Sequence, residues 1–151
     1  MEPTPANLAE LPFFKGMAWE QLEALSACAM SVRFEAGNHL FRTGDVANRF
    51  YVLLSGRVQL ESTSIDQPPV PIQVVEAGDV VGWSWLFPPY HWRFDARTLD
   101  PVEAIFFYGT RLREQAENDP ALCCELMKRM TPVILNRLQA TRNELAKALR
   151  R

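Results

Sequence analysis

Four glycines spaced along the middle of the chain constrain its fold more than any other feature of the sequence. They are Gly37, Gly44, Gly56 and Gly78, and short apolar runs separate them. Arg57–Glu61 alternates polar and apolar residues, as a strand with one buried face does. The pattern predicts about eight short strands joined by turns, which is typical of an antiparallel barrel or roll.

Helical periodicity flanks this central region on both sides. Residues 5–29 carry apolar residues at helical spacing, with Gly16 separating two helices and a second stripe that begins at Trp19 and is expected in the core. Asp119-Pro120 is a helix start signal, and the apolar pattern then continues to the end of the chain. Pro132 lies inside that long helix, so we expect a kink or break there.

These patterns together predict a mainly β fold with flanking helices. It is an antiparallel β-roll, jelly-roll-like, with N-terminal helices and a long C-terminal helix. We expect one domain over residues 1–151, as the length allows. Its parts are N-terminal helices at 1–29, the roll at 30–108 and C-terminal helices at 109–151.

Composition and motif content exclude several function classes. The net charge of -2 shows no basic surplus of the kind that DNA-binding domains carry. The chain stops inside or just after the long helix, so we expect no DNA-binding domain. There is no leader segment and no apolar run of about 20 residues, which favours a cytoplasmic protein without membrane contact. Two histidines and three cysteines lack metal-site or disulfide spacing, and no catalytic motif occurs, so we expect no metal and no enzyme activity.

The segments 35–58 (EAGNHLFRTGDVANRFYVLLSGRV) and 76–83 (EAGDVVGW) resemble the cyclic-nucleotide-binding domain family. That family includes catabolite-activator-type regulators, protein kinase A regulatory subunits and cyclic-nucleotide-gated channels. The resemblance implies a non-catalytic regulatory domain that senses a small ligand similar to cAMP or cGMP. It also implies that the C-terminal helix relays the signal. No cofactor is expected beyond such a ligand.

In the family, a phosphate-binding cassette follows the glycine that Gly78 matches. A short helix there offers N–H groups to the cyclic phosphate, a glutamate holds the ribose, and an arginine pairs with the phosphate. Gly82 matches this pattern, but Trp83 stands at the glutamate position and cannot accept a hydrogen bond. Counting forward from Gly78 puts Arg93 at the arginine position, whereas counting back from the next strand puts Trp92 there.

The resemblance yields a set of candidate ligand contacts, which are Gly82, Trp83, Ser84, Arg93 and Phe94. With the forward count, Asp95 would also lie near the phosphate and weaken binding by charge repulsion. Two alternatives remain open, because aromatic residues crowd this cassette. They could fill the pocket, leaving a degenerate roll that binds no cyclic nucleotide and serves dimerisation or protein interaction. They could instead form a remodelled pocket that stacks on a flat or apolar ligand.

The apolar stripe of the C-terminal helix also predicts a homodimer. A straight helix from Pro120 to Arg150 would be about 45 Å long and would project beyond a compact roll. Leu138 and Leu145 are seven residues apart, so they share one helix face, as a two-helix seam requires. The alternative is a helix that folds back onto the roll at Pro132.

Overall fold

A computed structural model describes residues 1–150 of the chain and contains eight β-strands and four α-helices. The strands are β1 (Ala29–Phe34), β2 (His39–Phe41), β3 (Arg49–Ser55), β4 (Val58–Ser62), β5 (Val70–Val75), β6 (Val80–Val81), β7 (Asp95–Thr98) and β8 (Val102–Tyr108). The α-helices are α1 (Pro5–Ala9), α2 (Trp19–Ala27), α3 (Gly109–Glu117) and α4 (Pro120–Leu149), with short 3₁₀-helices at Pro12–Phe14 and Ser84–Leu86.

The strands form two four-stranded antiparallel sheets. One sheet has the order β1-β8-β3-β6 and the other the order β2-β7-β4-β5. This arrangement confirms the predicted antiparallel roll with flanking helices, including the long helix at the C-terminal end. The prediction succeeds because strand alternation and glycine turns are local signals that the tertiary structure does not override.

Two hydrophobic cores lie on opposite faces of the first sheet. Strand β3 contributes to both of them, because successive side chains of a strand point to opposite faces. Phe50 and Val52 pack against the helices, while Tyr51 and Leu53 pack between the two sheets. We call the first group, together with the helix residues that it contacts, the helical core. We call the second group, between the sheets, the roll interior.

One corner of the roll shows why glycine is required there. Gly56 joins β3 to β4 with φ 85°, a left-handed conformation that residues with a side chain rarely adopt. A Cβ atom at this position would lie 2.3 Å from the carbonyl oxygen of Pro101. The tight hairpin and the approach of the neighbouring chain therefore both depend on Gly56.

The N-terminal helices differ from the prediction in one respect. Trp19 was expected in the core, but 57% of its surface is exposed. It is the first residue of α2, and Met17, just before the helix, is buried in the core instead. The later members of the stripe, Leu22 and Leu25, are buried as the spacing predicts.

Helix α4 runs without a break from Pro120 to Leu149, so the expected break at Pro132 is not found. A proline removes one backbone donor, but packing on both sides of Pro132 keeps the helix continuous. Met130 is buried in the helical core, and Arg137 donates a hydrogen bond to the carbonyl oxygen of Val80 in β6 at 2.6 Å. None of the helices within residues 1–150 is both long enough and apolar enough to cross a membrane.

Candidate functional site

The segment that matches the family's cassette, residues 78–98, begins at the edge of the first sheet and crosses to the second. We call it the cassette. Strand β6 pairs with β3 and continues directly into Gly82, Trp83 and the 3₁₀-helix Ser84–Leu86. The chain then passes through a loop and enters β7. The residues of this segment therefore face either the roll interior or the helical core, depending on position.

Trp92 occupies the roll interior. Its side chain is 1% exposed and stacks on Phe41 of β2, with ring centroids 3.7 Å apart and ring planes 8° apart. The far edge of the indole lies against Gly82, where a Cβ atom would be 2.8 Å from the Trp92 Cη2 atom. Gly82 also has φ 101°, so both its conformation and its neighbour favour glycine.

Burial alternates along the residues that lead into β7. Trp92 and Phe94 are buried in the roll interior, where Phe94 packs edge-on against Phe41 at a centroid distance of 5.5 Å. Arg93, between them, is exposed and makes no hydrogen bond or ion pair within residues 1–150. In the structure the Trp92 side chain therefore faces the roll interior and the Arg93 side chain is exposed. Ligand contact by Arg93 stays a prediction.

Asp95 is buried, but its side chain lies on the face of β7 opposite to Ala96, which packs in the roll interior. Its carboxylate accepts hydrogen bonds from the backbone N–H of Thr43 at 2.7 Å and from the Thr43 hydroxyl at 2.8 Å. His39 Nε2 is 3.9 Å from the same carboxyl group. The expectation that Asp95 would repel a phosphate is therefore corrected, because β-strand alternation turns its side chain outwards.

The first turn of the cassette contains buried donors without acceptors. Trp83 is half-buried and contacts both cores. The Trp83 Nε1 and Ser84 Oγ atoms are buried and have no hydrogen-bond partner within residues 1–150. Such atoms are uncommon in folded proteins, so this turn retains unused hydrogen-bonding capacity next to Gly82.

Helix α3 holds the cassette from the other side. Trp85 is fully buried, stacks on Phe50 with centroids 5.0 Å apart, and lies against Gly109. The Arg113 guanidinium donates to the backbone carbonyl of Trp85 and lies 3.8 Å above the ring centre of Tyr90. These contacts fix the cassette on α3, and none of them was predicted, because each joins residues distant in sequence.

A half-buried cation that the sequence analysis did not single out lies next to Tyr51 of the roll interior. Arg49 lies on the same face of β3 as Tyr51, and its Nε donates to the Tyr51 hydroxyl at 2.9 Å. Its Nη2 donates to the Leu40 carbonyl oxygen at 2.7 Å. Burial raises the pKa of Tyr51, and the Arg49 charge opposes that rise. Strand alternation from Tyr51 would have placed Arg49 on this face.

The arrangement as a whole favours apolar packing over anion binding inside the roll. The Arg49 donors are directed to uncharged protein acceptors, while Phe41 stacks on Trp92 and meets Phe94 edge-on. No group of three or more His, Cys, Asp and Glu side chains within residues 1–150 could hold a metal ion.

Known proteins share both the sequence pattern and this fold. Residues 31–119, more than half of the chain, match the model of the cyclic nucleotide-binding domain family. A protein from Geobacter metallireducens GS-15 that carries the name cyclic nucleotide-binding protein has a crystal structure with a TM-score of 0.81 and 32% identity. That match covers 89% of this chain and 98% of the other.

Curated relatives include regulators and one enzyme. A CRP-like cAMP-activated global transcriptional regulator of Mycobacterium tuberculosis is 26% identical over 139 residues, covering 92% of this chain and 60% of the regulator. The acetyltransferase Pat of Mycolicibacterium smegmatis is 37% identical over 81 residues, covering 54% of this chain and 24% of the enzyme. The chain therefore spans less than two thirds of the length of these relatives. On the family match and the fold together, the chain belongs to the cyclic nucleotide-binding domain family.

Proposed function

We propose that this chain is a non-catalytic regulatory domain whose nucleotide pocket is filled by its own aromatic side chains. In this proposal it binds no cyclic nucleotide and acts through protein contacts of α4. The observation that carries the proposal is Trp92, which is 1% exposed inside the roll and stacks on Phe41 with ring centroids 3.7 Å apart. We assign Trp92 to the family's arginine position, as the backward count does. We further propose that it works as a single domain in the cytoplasm.

Two physical arguments support a pocket that stays closed. A ligand would have to displace a fully buried indole, whose burial and stacking both stabilise the folded state. A cyclic phosphate would then enter an interior where Arg93 points outwards and the Arg49 donors are already bound to uncharged acceptors. Both steps cost free energy that an inward arginine would otherwise offset.

A thermal-shift and calorimetry experiment with cAMP and cGMP tests the proposal. We expect the wild-type chain to show no saturable binding. A ligand at a hundred times its Kd would stabilise the folded state by about 2.7 kcal/mol, which thermal unfolding would detect. Wild-type stabilisation of that size by either nucleotide would overturn the closed pocket.

A pair of tryptophan variants makes the same experiment sharper. Trp92→Ala opens space inside the roll, whereas Trp19→Ala removes an exposed indole and serves as the matched control. If the Trp92 side chain closes the pocket, only Trp92→Ala can acquire nucleotide binding, and Trp19→Ala should behave as wild type. The idea that Trp92 closes the pocket would be contradicted if all three proteins, wild type, Trp19→Ala and Trp92→Ala, bound the nucleotide measurably and equally.

A second candidate function is a ligand sensor, and the unpartnered donors of the cassette favour it. Gly82, Trp83, Ser84, Arg93 and Phe94 would then contact a cyclic nucleotide, or a flat apolar ligand stacked on the aromatic rings. Trp83 Nε1 and Ser84 Oγ would supply the hydrogen bonds that they lack in this structure. This function requires Trp92 to leave the interior, and the signal would pass to α4. The same titration separates the two candidates.

The protein contact that we propose for α4 is a second copy of the chain. Met127, Ile134, Leu138 and Leu145 recur at intervals of seven and four residues, the spacing of a two-helix seam. Leu138 and Leu145 are 54% and 59% exposed. Relatives of this chain include transcriptional regulators, and formation of a homodimer would let the domain act on other molecules without enzyme activity.

A further inference from the structure

Arg137 joins the middle of α4 to the edges of both sheets. It continues the buried face of the helix, following Leu126 and Met130 at helical spacing. Its Nη2 donates to the Val80 carbonyl oxygen of β6 at 2.6 Å, and its Nη1 donates to Gln73 Oε1 of β5 at 3.2 Å. Asn136 Oδ1 accepts from Arg137 Nη1 at 3.0 Å and from Gln73 Nε2 at 2.7 Å.

The Arg137 side chain is partly buried, and its guanidinium has no ionic partner within residues 1–150. All its acceptors are uncharged, its Nε is buried without a partner, and no carboxylate oxygen within residues 1–150 lies within 4 Å of it. Burial lowers the pKa of Arg137, and the more distant Asp79 carboxylate opposes that change. Desolvation of an unpaired charge offsets much of what its hydrogen bonds contribute. The contact is therefore specific in geometry and weak in net free energy.

The acceptor on β6 lies at the start of the cassette. Strand β6 contains only Val80 and Val81, and the next residues are Gly82 and Trp83. A hydrogen bond from α4 to the Val80 carbonyl thus acts on a two-residue strand that leads directly to the Gly82–Trp92 contact.

We propose that Arg137 is a reversible latch that holds α4 against the roll and couples the position of the helix to the first residues of the cassette. On release, the guanidinium regains its hydration, which offsets the loss of its hydrogen bonds. Such a contact can open without unfolding the domain. The latch requires neither the closed pocket nor the homodimer, so it goes beyond the proposed function.

Hydrogen–deuterium exchange of Arg137→Met tests the latch. Methionine keeps an apolar stem but removes every donor. We expect exchange to become faster in residues 132–150 and 78–86, by less than about tenfold, because tenfold would be the full effect of one hydrogen bond to a charged group and desolvation offsets part of it. The melting temperature should change little, because the net free energy of the contact is small compared with the stability of the whole domain. Arg142→Ala, an exposed arginine on the same helix, is the control and should change neither segment.

Three results would overturn the latch. They are unchanged exchange in both segments, faster exchange confined to α4, and a lower melting temperature with faster exchange throughout, which would make Arg137 an ordinary structural residue. Gln73→Ala provides a second variant that leaves the arginine in place. It removes one acceptor from the latch, so we expect the same two segments to exchange faster, by a smaller factor. No change there would also count against the latch.

Discussion

The contact between Gly82 and Trp92 can be tested with a double-mutant cycle on stability. Gly82→Ala adds a Cβ atom 2.8 Å from the indole and places alanine at φ 101°. Strained backbone of this kind costs about 1–3 kcal/mol, and overpacking a filled core costs about 1–3 kcal/mol more. Trp92→Phe shortens the ring that Gly82 touches. Trp92→Phe should destabilise the folded state by less than about 4 kcal/mol, the middle of the range for truncating a buried tryptophan to alanine.

The cycle separates the two costs of the alanine. In the Trp92→Phe background the steric cost of Gly82→Ala disappears and the backbone strain remains. We therefore expect Gly82→Ala to destabilise the variant by about 1–3 kcal/mol less than the wild type, an interaction free energy well above the scatter of independent sites. Urea unfolding of the four proteins, followed by far-ultraviolet circular dichroism, measures it. Additive effects of the two substitutions would refute the contact, and with it the filled interior.

Two further predictions concern the surface. The double variant Leu138→Asp with Leu145→Asp should convert a dimer of about twice 17.2 kDa into a folded monomer. Light scattering at micromolar concentration measures this, and a monomeric wild type would contradict the proposed seam. Arg93→Ala should change the unfolding free energy by no more than about 0.5 kcal/mol, because the side chain is exposed and unpaired. A larger loss would mean that Arg93 contacts something that this arrangement does not contain.

The fold could be predicted from sequence because its signals are local. The glycines stand at corners where φ is positive, as Gly56 and Gly78 show. Alternation in Arg57–Glu61 gives a strand with Val58 and Leu60 buried. The prediction that Trp19 is buried was wrong because helical spacing identifies a face of the helix but not where along the helix the core begins.

The site could be predicted only in part because its geometry depends on a single-residue register. Arg93 and Trp92 are neighbours just before β7 and their side chains face opposite ways, so a count that is wrong by one exchanges a cation for an indole. The same shift turned Asp95 outwards, where Thr43 binds it. Phe41 and Arg113 reach the cassette from distant elements, and no local pattern reports such contacts.

The two proposed roles of α4 belong to adjacent residues on different faces. Arg137 points to the roll, and Leu138, the next residue, is exposed on the seam. Successive residues of a helix are about 100° apart, so the helix can hold the roll and a second copy at once. A rotation of α4 that withdraws Arg137 from Val80 also turns Leu138 away from its position in the seam. If both proposals hold, Arg137→Met should therefore weaken the dimer as well as loosen the cassette, although residue 137 itself lies outside the seam.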